Sequence, residues 1–374
     1  MIITIATGPW FPLPAIQGGA HHRLWQGLAE EFAAAGHDVT ILCRSYPGQP
    51  PTETINGVQY IRRGGFPQST NIWLDLLKDL VYALLTFPTL PKSNILVIND
   101  FWLPVFAPLR SGVGKIVISV GRFPKGQYRL YAYAHRFIVL SKALYEGIAK
   151  QYPDAIPRIK IIPNPVDTHI FSPPTLPRQD RGEKVILYVG RIHPEKGIHL
   201  LLEAFSIVSQ QISQVRLRII GPIKSSQGGG GEKYFEQLQL QSKSLNVEFL
   251  NPIFDTKKLA DIYRDADLFC YPSLAEKGEA FPIAPLEAMA TGLVPIVSNL
   301  SCFQDYIQDG ETGYFFNHRG NDAAQNLAAV FTHVIQNPEK ISYMSMKAIQ
   351  KAWEYRYEKV ANLYLADFKL LLEK

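Results

Sequence analysis

The chain has 374 residues, 47% hydrophobic and 19% charged, which suits a soluble globular protein of two domains. Three cysteines at wide spacing (Cys43, Cys270, Cys302) exclude a disulfide framework or a thiolate metal cluster and read as buried reduced thiols of a cytoplasmic protein. The net charge of +5 is uneven, with 16 Lys+Arg against 10 Asp+Glu in residues 1–172 and ten basic against two acidic residues from Arg110 to Lys160. That imbalance fits either an ordinary solvated surface or an anionic partner, such as an acidic membrane surface or a phosphorylated acceptor. No nucleic-acid motif accompanies it, so nucleic acid is not expected.

Met1-Ile-Ile-Thr-Ile-Ala6 lacks the basic start of a signal peptide and opens a strand. A Pro- and Gly-rich loop from Thr7 to Gln17 leads through Gly18-Gly19 into a helix from about Ala20 to Ala35, stopped by Gly36. Val39–Cys43 is the next strand. Strand, Gly-rich turn, helix, strand is the unit of a doubly wound parallel sheet. His21 and His22 are adjacent on this helix and cannot share a face. At most one of them points into a cleft.

Asn71 to Phe87 is strongly apolar, but Asp75, Lys78 and Asp79 interrupt it, so it is a poor membrane span. A core helix is expected; a helix lying in a membrane interface is the alternative. Ile95–Ile98 and Lys115–Val120 read as buried strands, followed by Asn99-Asp100-Phe101-Trp102 and by Gly121-Arg122. Arg136–Ser141 and Ile161 to Asp167 close the first domain. His169 to Glu183, rich in Pro and polar residues, reads as a linker. A second series of strands follows: Val185–Val189, Val215–Ile220, Val247–Phe249, Leu268–Tyr271 and Leu293–Val297. The run Ser225 to Gly231 reads as a mobile surface loop, because it lacks the Lys-Ser/Thr of a phosphate-binding P-loop. From about Ala323 the chain is helical.

Two stretches of the second domain carry candidate chemistry. Gly190-Arg191-Ile-His-Pro-Glu195-Lys196-Gly197 follows a strand directly. It offers a guanidinium fork and an ammonium point charge, with glycines that allow close backbone approach. Residues 276–299 place Glu279 in a turn-rich loop and Glu287 in a short helix, with Pro282 and Pro285 expected in its first turn and Gly292 at its end. Both carboxylates can then face one crevice beyond a strand's C-terminal end, where the helix N-terminus would meet an anion. By spacing alone, two such glutamates are more often solvated surface residues.

The register of Glu279 to Glu287 with the following Ala288-Met-Ala-Thr-Gly292 resembles the E-x7-E signature of retaining glycosyltransferases of family 4. The stretch from Gly190 to Gly197 resembles the G-R-x-x-x-E-K-G segment of the same family. The resemblance implies an α/β protein of the GT-B fold, two doubly wound Rossmann-like domains with an interdomain cleft. An acceptor-side domain would span 1–168, a linker 169–183 and a nucleotide-sugar-binding domain 184–355, with a final helix at about 356–374 packing back on the first domain.

It further implies transfer of a sugar from a nucleotide diphosphate sugar to an acceptor hydroxyl with retention of configuration and without a metal or other cofactor. Arg191 and Lys196 would stabilise the leaving diphosphate. Glu279 would hold the sugar hydroxyls and Glu287 the ribose. Backbone around Phe281, Pro282, Ile283 and Ala284 would hold sugar or phosphate, and Ile253 would lie at the base. Gly18, Gly19 and Gly190 would approach the donor phosphates, and Asp100 would stand near the reacting sugar. The chain departs from the family at Gly121, where a His is usual, at Asn251, at Pro165 and at Pro282, which removes one amide donor. Acceptor, sugar and base stay open, with lipid-linked sugar, polysaccharide and small molecule as the acceptor classes. An attachment to the inner membrane face is consistent with the charge. The rival readings are a GT-B-like epimerase or phosphorylase, and a non-catalytic sugar-nucleotide or membrane-binding protein.

Overall fold

The computed structural model describes residues 1–15, 19–69, 71–175 and 182–373. The chain divides into two compact units, Met1–Pro165 with Tyr357–Lys374, and Val166–Arg356. The first unit runs β1 (Ile2–Ala6), α1 (Ala20–Ala34), β2 (Asp38–Arg44), β3 (Thr52–Ile55), β4 (Val58–Arg63), α2 (Ile72–Thr86), β5 (Ile95–Ile98), α3 (Leu103–Phe106), β6 (Lys115–Val120), β7 (Arg136–Val139), α4 (Lys142–Gln151) and β8 (Ile159–Ile161). Its eight strands lie in the order β3-β4-β2-β1-β5-β6-β7-β8. Only β3 and β4 pair antiparallel. The central strand β5 is buried at every position, as a parallel strand covered on both faces must be.

The second unit runs β9 (Lys184–Val189), α5 (Ile198–Gln211), β10 (Val215–Ile220), α6 (Glu232–Gln241), β11 (Val247–Leu250), α7 (Thr256–Asp265), β12 (Leu268–Tyr271), α8 (Ala284–Ala290), β13 (Val294–Ser298), β14 (Tyr314–Phe316), α9 (Ala323–Gln336) and α10 (Pro338–Trp353). Its sheet has six strands in the order β11-β10-β9-β12-β13-β14, parallel throughout. The last helix, α11 (Tyr357–Leu372), belongs to the first unit, where Val360, Tyr364, Leu365 and Phe368 join the core around α1. Tyr364 meets Trp25 edge to face at 5.4 Å, and Arg136 bonds the buried Asp367 at 2.9 Å.

Several segments differ from their sequence readings. The helix expected in the core, α2, turns most of its apolar residues to solvent: Trp73 is 77% exposed, and Ile72, Leu74, Leu77, Leu84 and Leu85 are exposed as well. The buried side is the stripe Asp79, Tyr82, Ala83, Thr86, at the spacing of one helical face. Asp79 Oδ2 accepts from the amides of Phe101 and Trp102 at 3.1 and 3.0 Å, and Trp102 Nε1 donates to Leu76 O at 2.9 Å. Hydrogen bonds, which leave no trace in apolar periodicity, therefore set the face this helix docks.

The Gly-rich run is not a loose loop. It forms a 3-10 turn over Ser225–Gln227, and Gly230 N donates to Ile192 O at 2.7 Å, packing the run onto the segment after β9. The stretch read as a linker is partly packed too. Phe171 is buried edge-on to Tyr263 at 5.7 Å, and Arg264 Nε donates to Ser172 O at 3.0 Å. Gly18 and residues 176–181 lie outside the described residues.

Candidate active site

In the second sheet, β9 and β12 are neighbours from which the chain winds outward in opposite directions, so their C-terminal ends form the switch point at which open α/β sheets bind ligands. Arg191 and Lys196 follow β9, and Ser273, Glu279 and Glu287 follow β12. After β9, His193 caps a single 3-10 turn, Pro194–Lys196, through the amide of Glu195. Gly197 ends the turn at φ +67, and a Cβ there would stand 2.1 Å from Pro272 O. Only glycine allows this approach of the two loops. Leu274 N donates to Glu195 O at 2.8 Å and fastens them.

The close approach brings Lys196 onto Glu279. Lys196 Nζ donates to Glu279 Oε1, Ser273 Oγ donates to the same oxygen at 2.7 Å, and the ammonium stands 5.6 Å from the centroid of the Tyr271 ring. The two side chains are only 6% and 7% exposed, so the pair is almost dry. Arg191 is half-exposed and held from two sides, by Glu195 Oε1 at 2.6 Å and Gly228 O at 2.7 Å. Burial pushes the Glu195 carboxyl up, but Lys196 and Arg191 outweigh it and hold it below the usual carboxylate range. Gly190 lies against Tyr188 and Tyr271, which stack at 5.8 Å.

Glu287 is buried on α8, and its Oε2 accepts from the Tyr263 hydroxyl at 3.1 Å. The helix begins at Ala284, so Pro285 occupies its first turn and Pro282 lies outside it, contrary to expectation. Pro282 O accepts from Tyr306 at 3.0 Å, Phe281 packs on Tyr306 at 4.7 Å between centroids, and Ile283 O receives the Glu287 amide at 2.8 Å. These contacts fix the entry of α8. Ile253 is half-buried beyond the edge strand β11.

The structure thus gathers Gly190, Arg191, Lys196 and Glu279 at one place and puts Glu287 with Tyr263. Asp100 is in the first unit with its carboxyl turned inward. Oδ1 accepts from Leu103 N at 3.2 Å at the start of α3, and Oδ2 is buried without a partner. Burial, with Asp79 beside it, raises its pKa well above the carboxylate range. The polar residue of that loop which bonds a neighbouring side chain is Asn99, whose Oδ1 lies 2.8 Å from His21 Nε2. Gly19 begins α1 at φ +86 against the Phe11 ring. Ser273, Tyr263 and Asn99 escaped the sequence. Tyr263 shares core spacing with Leu259 and Ala260 on α7, and nothing in that spacing marks it as the partner of Glu287. Among the described residues no group of three or more His, Cys, Asp or Glu could hold a metal ion, and the three cysteines are free and buried.

Known proteins resemble this chain in sequence and in fold. The family described as Glycosyltransferase Family 4 matches residues 18–170, and that described as Glycosyl transferases group 1 matches residues 177–351. A phosphatidyl-myo-inositol mannosyltransferase of Mycobacterium tuberculosis is 35% identical over 316 residues, 80% of this chain and 79% of the relative. The chain belongs to the family 4 glycosyltransferases. The corresponding protein of Mycolicibacterium smegmatis is 26% identical over 365 residues, 92% of this chain and 88% of its own. Among solved structures, a sucrose-phosphate synthase from Thermosynechococcus elongatus has a TM-score of 0.80 at 20% identity, covering 100% of this chain and 99% of that one. Anabaena HepE in complex with UDP-glucose has a TM-score of 0.75 at 17% identity, with 99% of each chain covered. The fold is GT-B, two Rossmann-like α/β units, and the family 4 chain is a glycosyltransferase by descent.

Proposed function

We propose that this glycosyltransferase moves a sugar from a nucleoside diphosphate sugar to the hydroxyl of a lipid-type acceptor, with retention of configuration and without a metal ion. The observation that carries the reading is the dry Lys196–Glu279 pair with Ser273, set at the β9/β12 switch point beside Arg191. A desolvated ammonium and a guanidinium fork suit the charge that grows on a leaving diphosphate. Glu279, held by Lys196 and Ser273, keeps lone pairs for sugar hydroxyls. Glu287, oriented by Tyr263, suits a ribose diol. In the reaction the anomeric carbon–phosphate oxygen bond breaks, the bond to the acceptor oxygen forms, and the acceptor proton passes to the leaving phosphate.

The lipid-type acceptor is supported by relatives named for phosphatidyl-myo-inositol, and the donor class by a structural neighbour solved with UDP-glucose. The face of α2 that carries Trp73 supports attachment at a lipid interface, where an amphipathic helix rests flat. No helix among the described residues is long and apolar enough to cross a membrane. The test is a panel of uridine, guanosine and adenosine diphosphate sugars, read by thermal shift and then by transfer in excess EDTA. At least one donor is expected to raise the apparent melting temperature and to be turned over with the anomeric configuration kept. Complete loss in EDTA with recovery in manganese or magnesium, or an inverted product, would overturn the reading.

A further inference from the structure

The first unit has a switch point of its own. β1 and β5 are neighbours from which the chain departs in opposite directions across the sheet, so a ligand crevice opens at their C-terminal ends. His21, in the first turn of α1, and Asn99, directly after β5, meet there, with imidazole Nε2 2.8 Å from Asn99 Oδ1. The amide of Asn99 has one permitted orientation, because its Nδ2 lies 3.3 Å from Ala6 O, which can only accept. Oδ1 therefore faces the imidazole, Nε2 must carry the hydrogen, and a neutral ring keeps a bare lone pair on Nδ1.

The surroundings keep the ring neutral. Burial lowers its pKa, the bond to Asn99 works against that, and Arg122 lowers it again. The groups facing it are Asn99 after β5, Arg122 after β6, and His22 and Trp25 on α1 itself. His22 turns the other way, edge-on to Phe11 at 5.2 Å, and burial holds its pKa at about 3. Nδ1 of His21 has no hydrogen-bond partner among the described residues. Its neighbour is Gly121, the first residue after β6. A Cβ at that position would lie 3.4 Å from Cε1 and 3.5 Å from Nδ1. The absent side chain at 121 leaves space on the side of the ring that bears the lone pair.

We propose that His21 binds the acceptor: Nδ1 accepts a hydrogen bond from the hydroxyl that receives the sugar, in the space left by Gly121, while Asn99 is a positioning residue that fixes the tautomer. This rests on the reading of the reaction as transfer to a hydroxyl. No bond is made or broken at the ring, and the acceptor proton still leaves with the phosphate. An imidazolium could not serve, since both nitrogens would then donate.

The test has a spectroscopic arm and a kinetic arm. In the full chain labelled with 15N-histidine, and with the signal assigned by its loss in His21→Gln, His21 is expected at pH 7 as a neutral ring with hydrogen on Nε2. Addition of myo-inositol as a polyol probe should shift Nδ1 in the direction of an accepted hydrogen bond. A hydrogen on Nδ1, a charged ring, or an Nδ1 signal unmoved by the polyol would overturn the proposal. In transfer to vesicles containing phosphatidylinositol, His21→Gln should lose about tenfold or more in kcat/KM for acceptor, the scale of one neutral hydrogen bond.

Donor hydrolysis and nucleoside diphosphate affinity should not move. Gly121→Ala, whose methyl meets the ring at an ordinary contact distance, should fold normally and raise the acceptor KM. Asn99→Asp should raise the pKa of His21, so that transfer falls as pH drops from about 8 to 6 where the wild type stays flat. Equal loss of donor hydrolysis and transfer in these variants would mark a merely structural histidine. If the wild type transfers nothing to such vesicles, the acceptor reading fails, and the tautomer and polyol spectra alone decide the role of His21.

Discussion

Lys196 and Glu279 cannot be varied independently, because each is the other's counter-charge in a nearly dry place. Breaking a buried pair from one side leaves an uncompensated charge and costs about 3–5 kcal/mol of stability, whereas replacing both by apolar groups is often neutral. Lys196→Met and Glu279→Leu should each lower the melting temperature, the double variant should recover it, and all three should be inactive. Recovery of activity with stability in the double variant would remove both residues from the chemistry. Glu287 should behave differently. On the proposed reading its partner is a ribose that does not change in the reaction, so Glu287→Ala should weaken nucleoside diphosphate binding by roughly 1.5–3 kcal/mol, the worth of a charged hydrogen bond. Calorimetry showing unchanged nucleotide affinity in Glu287→Ala would refute that assignment.

Among the elements, α2 departs most from an ordinary surface helix. It docks through Asp79, Tyr82, Ala83 and Thr86 and leaves its tryptophan and leucines outside. With acidic vesicles, Trp73 fluorescence should move to the blue and the protein should sediment with the lipid. Trp73→Ser with Leu77→Ser should cut binding by about tenfold or more, since each buried apolar side chain is worth about 1.5–3 kcal/mol. Salt should weaken any share due to the basic first unit and leave the apolar share in place. Wild-type binding to vesicles unaffected by the double substitution would take α2 out of the interface. Sequence could not show this face. A helix apolar nearly all round reads as buried, and the choice between its sides is made by Asp79 accepting two amides from residues 101 and 102, more than twenty positions away. By contrast the β3–β4 hairpin has a plain local signal in the sequence. Ile55-Asn56-Gly57-Val58 carries the Asn-Gly of a tight hairpin, and both turn residues have positive φ.

At the scale of the molecule, stability should vary with pH through Asp79. Burial raises its carboxyl from 3.8 to about 6, against the pull of the Trp102 and Phe101 amides. A raised acid binds its proton more tightly in the fold, so its contribution is complete below the unfolded pKa and declines as pH climbs to about 6. Asp79→Asn keeps an acceptor for both amides and cannot ionise. Its stability relative to the wild type should therefore grow from pH 4 to 6, by roughly 3 kcal/mol at most, and stay level above. Denaturant titrations of the two proteins across that range measure the difference, and a constant gap would refute the protonation account. The α/β class and most parallel strands were legible because buried strands such as β5 and β12 are unbroken apolar runs between turns. β14, three residues long, offers too little pattern to find. The meeting of Lys196 with Glu279 could be anticipated only through family resemblance, since their nearness depends on Gly197 admitting Pro272 O, a contact no local pattern encodes.

The return of α11 to the first unit has a consequence for how the protein is made. Val360, Tyr364, Leu365 and Phe368 complete a core begun by Ile3 and Ile5, with all of the second unit synthesised in between. On the ribosome the second unit, continuous in sequence, has its full complement of residues first. The N-terminal sheet must wait with the α1 face around Trp25 and Phe32 uncovered until the last helix emerges. The earliest-made half of the enzyme is therefore the last to mature, and a nascent chain stalled before residue 357 would display an adhesive apolar face of the kind that holdase chaperones capture.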